Sequence, residues 1–208
     1  MTPLTYTSLF SRRRLALVAA AACVLGAGLP AQAERADRLK KMEVESDQPG
    51  KVDLANQLVV FNGNVVVSKG TMLIKAARIE VRESADGYQS AVAVGTPTQP
   101  ASFRQKREGV NEFVEGEAER LEYDSKLDTI RFVNKASVRR LRGTAVADEV
   151  TGALITYDGT AELFTVAGGS AAVTPSNPTG RVRYVFTPKE GTPAAAEAAS
   201  QAASGARR

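Results

Sequence analysis

The sequence predicts an all-β domain built from repeated strands, and three observations carry that prediction. From Met42 to about Val173 the apolar residues alternate with period two and are rich in Val, Ile, Thr, Phe and Tyr, which suit a pleated, half-buried surface. Turn signals break the alternation at short intervals: Asp47-Gln48-Pro49-Gly50, Asn62-Gly63-Asn64, Asp86-Gly87, Glu108-Gly109 and Asp158-Gly159. The chain also repeats itself without gaps. No window of the stretch holds a 3.6-residue apolar stripe, so helix is not expected there.

Taken in order, the chain opens with an export signal. Arg12, Arg13 and Arg14 form a positive n-region, Leu15 to Leu29 is an apolar run too short to span a bilayer, and Ala31-Gln32-Ala33 is an A-x-A cleavage site. The mature chain is expected to start near Glu34. Ser11 to Leu15 resembles a twin-arginine signal faintly, but no cofactor motif requires folding before export, so ordinary secretion is expected. Cys23, with Ala20 three residues upstream, makes a poor lipoprotein box. Cleavage after residue 33 takes three Arg and no acid from 27 Lys+Arg, leaving 24 against 23 Asp+Glu and a net charge of +1. A chain so balanced lacks the basic character of a nucleic-acid binder. The same cleavage removes the only cysteine, so the exported chain must hold together by burial and backbone pairing.

The repeats separate the two faces of the strands. Val52 to Val67 (VDLANQLVVFNGNVVV) aligns on Tyr123 to Val138 (YDSKLDTIRFVNKASV), 71 positions on, and that segment on Tyr157 to Ala172 (YDGTAELFTVAGGSAA), 34 further. Strand side chains alternate, so each aligned position keeps its face in every copy. One face reads Val59/Ile130/Phe164, Phe61/Phe132/Val166, Val65/Ala136/Ser170 and Val67/Val138/Ala172. The other reads Leu58/Thr129/Leu163, Val60/Arg131/Thr165, Asn62/Val133/Ala167 and Asn64/Lys135/Gly169. The first is the inner face. A shorter element recurs as AARIEV (Ala76 to Val81), AERLEY (Ala118 to Tyr123) and GALITY (Gly152 to Tyr157), placing Ile79/Leu121/Ile155 and Val81/Tyr123/Tyr157 on one face.

Such strands stack into a solenoid or fold over as a sandwich or open jelly roll. A closed, filled core is the default reading of an apolar face. Two features weigh against it: aromatics make up 6% with no Trp, and a long stack has open ends whose edges invite pairing. Pro175 to Gly180 reads as a linker or wide turn and Arg181 to Phe186 as one more strand. Beyond Pro188 the chain is Ala-rich and poor in large apolar residues, which predicts a disordered tail, or a short helix formed on a partner. The expected organisation is a cleaved signal over 1–33, one β domain over 34–187 and a tail over 188–208.

Little chemistry is legible. The chain has no His, which excludes His-based acid/base catalysis, His metal sites and a Ser-His-Asp arrangement. It holds no G-x-S-x-G, P-loop or helix-opening G-x-G-x-x-G motif. Glu115, Glu117 and Glu119 could supply a carboxylate pair, although a solvated stretch of strand explains them better. No catalytic residue, cofactor or metal is expected, and the chain is not expected to be an enzyme.

Five segments resemble the OstA-like family of periplasmic lipopolysaccharide-transport proteins: MEVESDQ (Met42 to Gln48), Leu58 to Val81, the G-x-P-x-x-P-A-x-F element Gly95 to Phe103, VEGEAERLEYD (Val114 to Asp124) and GALITYD (Gly152 to Asp158). Each is weak alone, but they stand in the family's order and cover most of residues 42 to 167. Asn134-Lys135-Ala136 departs from Gly63-Asn64-Val65, which suggests a reshaped turn in the second copy. The resemblance implies an antiparallel open jelly roll, or β-taco, whose apolar interior shelters acyl chains while the head group stays in water. It implies a lipid-binding inner face made of Met42, Val44, Val59, Phe61, Leu73, Ile79, Val81, Phe103, Leu121, Tyr123, Ile130, Phe132, Ile155, Tyr157, Phe164 and Val166. It further implies end-to-end joining of copies, and joining to the related folds of LptC and the LptD N-terminal domain, in a bridge from inner to outer membrane. The expected edges are Met42 to Ser46 and Arg181 to Phe186. For the head-group phosphates, the runs Arg104-Gln105-Lys106-Arg107 and Arg139-Arg140-Leu141-Arg142 are candidates, with Arg104, Lys106, Arg139, Arg140 and Arg142 the residues singled out, against the default that a charge cluster is a solvated face. Two readings come from other classes: a β-solenoid scaffold or adhesin-like protein with a closed core and protein partners, and a glycan hydrolase using Glu115 and Glu119.

Overall fold

The computed structural model describes residues 37–107 and 109–205. The predicted signal segment and its cleavage site lie outside the described residues. Twelve strands form one antiparallel sheet: β1 (Met42–Glu45), β2 (Lys51–Asp53), β3 (Leu58–Lys69), β4 (Met72–Glu83), β5 (Gln89–Val94), β6 (Ala101–Lys106), β7 (Glu112–Ala118), β8 (Arg120–Asp124), β9 (Thr129–Arg142), β10 (Ala145–Asp158), β11 (Leu163–Ala167) and β12 (Arg183–Phe186). Their pairing reduces to a simpler plan. β1 and β2 both lie along β3, β5 and β6 along β4, β7 and β8 along β9, and β11 and β12 along β10. The sheet is a meander of long tracks: four are split into two strands, and two of the four continuous ones carry a bulge near the middle.

Two of the interruptions are bulges. In β3, Gly63 (φ 75°) and Asn64 (φ 46°) stand opposite the single residue Ala77 of β4. In β9, Asn134 (φ 64°) and Lys135 (φ 47°) stand opposite Ala153 of β10. Two residues against one bend a strand, and a left-handed backbone suits Gly and Asn best. Lys135 is tied there by an ion pair with Glu119 at 2.7 Å. Neither site is a turn. The turn expected at Asn62-Gly63-Asn64 is therefore corrected, and so is the reshaped turn expected at Asn134-Lys135-Ala136, because both copies hold the same bulge in mid-strand. The other tracks break at the same level, at Asp47–Gly50, Gly95–Pro100, Glu119 and residues 168–182.

The chain reversals lie earlier in each repeat. The carboxylates of Asp53, Asp124 and Asp158 accept the backbone N–H three residues on, from Asn56 at 3.1 Å, Leu127 at 3.0 Å and Ala161 at 2.8 Å. The next residue in each copy, Gln57, Asp128 or Glu162, has φ of 48°, 52° or 51°. The same turn, closed by an aspartate side chain, is built three times. The third copy then departs from the first two: β11 ends at Ala167, and Ser170 and Ala172 fall in a 3-10 turn (Ser170–Ala172) off the sheet. β12 takes the vacated place along β10.

The bends divide the sheet into two halves. The first half carries β1, β6, β7 and β12 with the adjoining parts of β3, β4, β9 and β10; the second carries β2, β5, β8 and β11 with the remaining parts. They pack face to face. Phe103 of the first half meets Phe132 of the second edge-on, with ring centroids 5.8 Å apart and planes at 84°. Gly116 of β7 lies so close to Phe132 that an added Cβ would stand 2.4 Å from its ring. Residues from both halves form a single apolar cluster, and burial of that surface at roughly 25 cal/mol per Å² holds the halves together.

The tail differs from the expectation of disorder. Pro193–Gly205 forms a helix, α1, with Pro at its first position and Thr192 Oγ1 accepting the Ala195 N–H at 3.4 Å. Alanine loses little side-chain entropy in a helix, so local propensity favours the helical form over this stretch. Of Thr192–Ser204 only Thr192 and Ala195 are half-buried, so α1 adds nothing to the core.

Candidate functional site

Every expected inner-face residue but one belongs to the cluster between the halves or packs against it. Ile79, Val81, Phe103, Leu121, Tyr123, Ile130, Phe132, Ile155 and Tyr157 are buried in it; Met42, Val44, Val59, Phe61, Phe164 and Val166 pack on it half-exposed. Leu73 is the exception. Counting by twos from Val81 and Ile79 brings Leu73 inside, but the bulge leaves Ala77 as an odd residue and reverses the parity of β4. Met72, Ile74 and Ala76 are the inner residues instead, and Leu73 shares the outer face with Lys75 and Arg104. The signal for this was the pair Ala76-Ala77, where the alternation of β4 slips.

The inner face outruns the core at both edges of the sheet. At one edge Val52 of β2, paired with Val59 and 58% exposed, borders a cavity of about 360 Å³ with Leu54, Val81 and Gln89. At the other edge Tyr184 and Phe186 of β12 stand opposite the inner residues Val150 and Asp148, with ring centroids 4.4 Å apart and Phe186 79% exposed. Residues directly opposite in a ladder share a face, so both edges prolong the inner surface. One apolar strip thus crosses the whole sheet and is uncovered at its two ends.

The mouth of the fold is polar. One rim carries the turn at Gly70, Arg107, residues 109–111 and Gly143-Thr144; the other carries residues 54–57, 84–88, 125–128 and 159–162. The rims meet through side chains. Lys69, the last inner residue of β3, donates to Gln89 Oε1 at 2.7 Å and lies 5.8 Å from the Tyr123 ring. It is 1% exposed, and burial lowers its pKa while Asp128 opposes the shift. Arg107, just past β6, pairs with Glu162 of the opposite rim at 2.5 Å. On its own rim Arg107 pairs with Glu112, which also accepts from Arg140 at 3.0 Å and Arg142 at 3.2 Å. Arg140 Nε donates to Asp148 at 2.7 Å. Burial alone raises the Glu112 pKa, but the hydrogen bonds from Arg140 and Arg107 outweigh it and hold the carboxyl below its ordinary range.

This geometry sorts the basic candidates. Arg140 and Arg142 share the inner parity of Val138 and sit at the mouth. Arg104 and Arg139 are corrected to the outer face, where both pair with Glu115, because they alternate with Phe103 and Val138. Lys106 has the outer parity of Arg104. Arg107 closes the run Arg104 to Arg107 that the sequence offers for phosphate, and it is the member of that run whose partners span the mouth. Glu115 and Glu119 each hold a basic partner on the surface, which fits solvated strand rather than an acid/base pair. Among the described residues no group of His, Cys, Asp or Glu could hold a metal ion.

Comparison with known proteins places this bent, apolar-lined meander. A family model described as "LptA/(LptD N-terminal domain) LPS transport protein" matches residues 43–163. The chain belongs to that family. The matched span runs from β1 to the start of β11 and so contains both bulged hairpins and the larger part of each half-sheet. Among relatives, the lipopolysaccharide export system protein LptA of Escherichia coli (strain K12) is 29% identical over 143 residues, which cover 68% of this chain and 76% of that protein. LptA of Haemophilus influenzae is 26% identical over 107 residues, covering 51% and 59%. Among solved structures, LptH, the LptA homologous periplasmic component of the lipopolysaccharide transport device from Pseudomonas aeruginosa, superposes with a TM-score of 0.62 at 20% identity, covering 74% of this chain and 99% of that one. At that identity the likeness is one of fold, and the family's fold is the one found here.

Proposed function

We propose that this chain binds lipopolysaccharide between its two half-sheets and carries it across the periplasm, after export by its cleaved signal. The observation behind this reading is the apolar inner strip that runs from β2 to β12 and stays uncovered at both ends. Acyl chains need no directional chemistry, only apolar surface to leave water against, at about 25 cal/mol per Å². The names of the relatives support the cargo, and they do not favour a closed scaffold with protein partners alone.

A photo-crosslinker in place of Phe61 or Phe132, both on the inner side, is expected to capture lipopolysaccharide. At Asn62 or Arg131, whose side chains bond Arg78 and Glu122 on the outer face, it is expected to capture none. Equal labelling from both faces would sink the reading.

The same reading extends to assembly. β1 pairs with β3 and β12 with β10, which leaves one edge of each strand open to a strand from another copy, from LptC or from the LptD N-terminal domain. Purified protein is expected to assemble with rising concentration in sedimentation, and Val185→Pro to weaken that assembly.

A further inference from the structure

We propose that Arg107 is the head-group cation of the slot, and that Glu162 occupies it until an anionic lipid arrives. The inference rests on the lipopolysaccharide reading above and adds to it a named site and a ligand chemistry, the phosphate ester of a phosphorylated glycolipid.

Arg107 is set apart by where its partners lie. Arg104 and Arg139 are on the outer face. Arg140 bonds Asp148 of β10 and Glu112 of β7, strands in its own half-sheet, so those contacts survive any parting of the halves. Arg107 instead bonds Glu112 on its own rim and Glu162 on the opposite rim. An acyl chain can enter between Phe103 and Phe132 only if the halves separate, because the protein's own side chains fill that space. Separation at the mouth breaks the bond to Glu162 and spares the bond to Glu112.

The guanidinium then presents a free fork toward the gap, with Arg140 and Arg142 beside it around Glu112. A planar fork matches two phosphate oxygens at once, and the charge strengthens each hydrogen bond. Lys69 is released by the same movement, since its hydrogen-bond partner Gln89 and the Tyr123 ring both lie across the mouth. A phosphate held here stands at the water end of the slot with its acyl chains below. Arg107 and Glu162 are 22% and 37% exposed in their side chains, so an incoming anion can reach the pair and compete for it. A lipid without phosphate has nothing to offer in exchange.

Two substitutions separate the clasp from the cation. Both Glu162→Gln and Arg107→Gln break the clasp, but only Arg107→Gln removes the cation. The mature chain and both variants are titrated with purified lipopolysaccharide and with the same material after phosphatase treatment, once circular dichroism shows all three folded. The phosphorylated form is expected to bind Arg107→Gln about 10-fold more weakly than wild type, the size of one charge-assisted contact, and to bind Glu162→Gln more tightly. The dephosphorylated form is expected to bind the two variants equally. If both variants shift together for the phosphorylated form, or neither shifts, Arg107 is a structural residue and the inference is overturned while the lipid reading stands. If the wild type binds neither form, both fall. Should Arg107→Gln not fold, Glu162→Gln carries the test: unchanged binding of the phosphorylated form overturns the clasp.

Discussion

Along the bend of the sheet the two halves are joined by backbone: β3, β4, β9 and β10 run unbroken from one half into the other, turning at bulges set by Gly63-Asn64 and Asn134-Lys135. At the mouth the same halves meet through side chains, Lys69 to Gln89 and Arg107 to Glu162. The bend is lined by buried apolar residues, the mouth by charges, of which Lys69 is buried and the Arg107–Glu162 pair is partly open to water. The contrast makes the bend a hinge and the mouth the place that can open. Stability should therefore respond to changes near the bend, and ligand access to changes at the mouth.

The largest effect is expected in the packed interior. Phe132 is fully buried and touches Phe103 across the halves. Phe132→Ala removes that contact and leaves a cavity, at a cost of about 3–5 kcal/mol in urea unfolding. Phe186→Ala, on the open strip where the ring is 79% exposed, should change stability by less than about 0.5 kcal/mol. Equal losses at the two positions would break the distinction between packed interior and open strip.

Next comes the hinge itself. Gly63 has φ 75°, and a Cβ there would stand 2.6 Å from the Gln48 side chain, which is flexible enough to move. Gly63→Val forces a β-branched residue into a left-handed backbone and should cost at least about 1–2 kcal/mol. Gly63→Asn should cost less, because Asn134 holds φ 64° at the equivalent place in the second copy. Thermal melting of the two variants checks the order, and a Val variant as stable as the Asn one would mean that the bulge is not what sets the bend.

At the mouth, charge should matter little for stability. Glu162→Gln breaks an ion pair open to water and is expected to cost less than about 1 kcal/mol. Lys69→Met keeps the length of a buried side chain and removes a charge whose hydrogen-bond partner is neutral, so it should be neutral or stabilising within about 1–2 kcal/mol. A loss at either position as large as at Phe132 would make the mouth part of the folding core rather than a clasp.

The same contrast explains what the residues disclosed. Face assignment was legible wherever alternation ran undisturbed, and the threefold register of Val59/Ile130/Phe164 located the inner side before any fold was known. Leu73 failed because parity is a running count, and one unpaired residue at Ala77 reverses everything beyond it. Asn62-Gly63-Asn64 reads as a turn because a turn and a bulge ask for the same left-handed backbone; the pairing partner, not the tripeptide, decides between them. Arg107 and Glu162 are 55 residues apart and meet only because the sheet bends. Nothing local in either residue announces that contact.

The smallest effect belongs to the tail, which lies outside both hinge and mouth. Residues 189–208 hold Lys189, Glu190, Glu197, Arg207 and Arg208 and no Leu, Ile, Val, Phe or Tyr. Ordering them costs roughly 1–2 kcal/mol per residue in backbone entropy, and an exposed helix of this length is marginal in water by itself. Deleting the chain after Pro188 should therefore leave the melting temperature unchanged. Its position gives it a different use. It follows directly from β12, whose outer edge is unpaired, and a polar, Ala-rich extension beside such an edge discourages uncontrolled strand addition. The truncated protein is expected to form longer assemblies than the full chain at equal concentration in sedimentation, with lipopolysaccharide binding retained. A melting point lowered by several degrees, or lost lipid binding, would show that α1 belongs to the folded domain and that the boundary at residue 188 is misplaced.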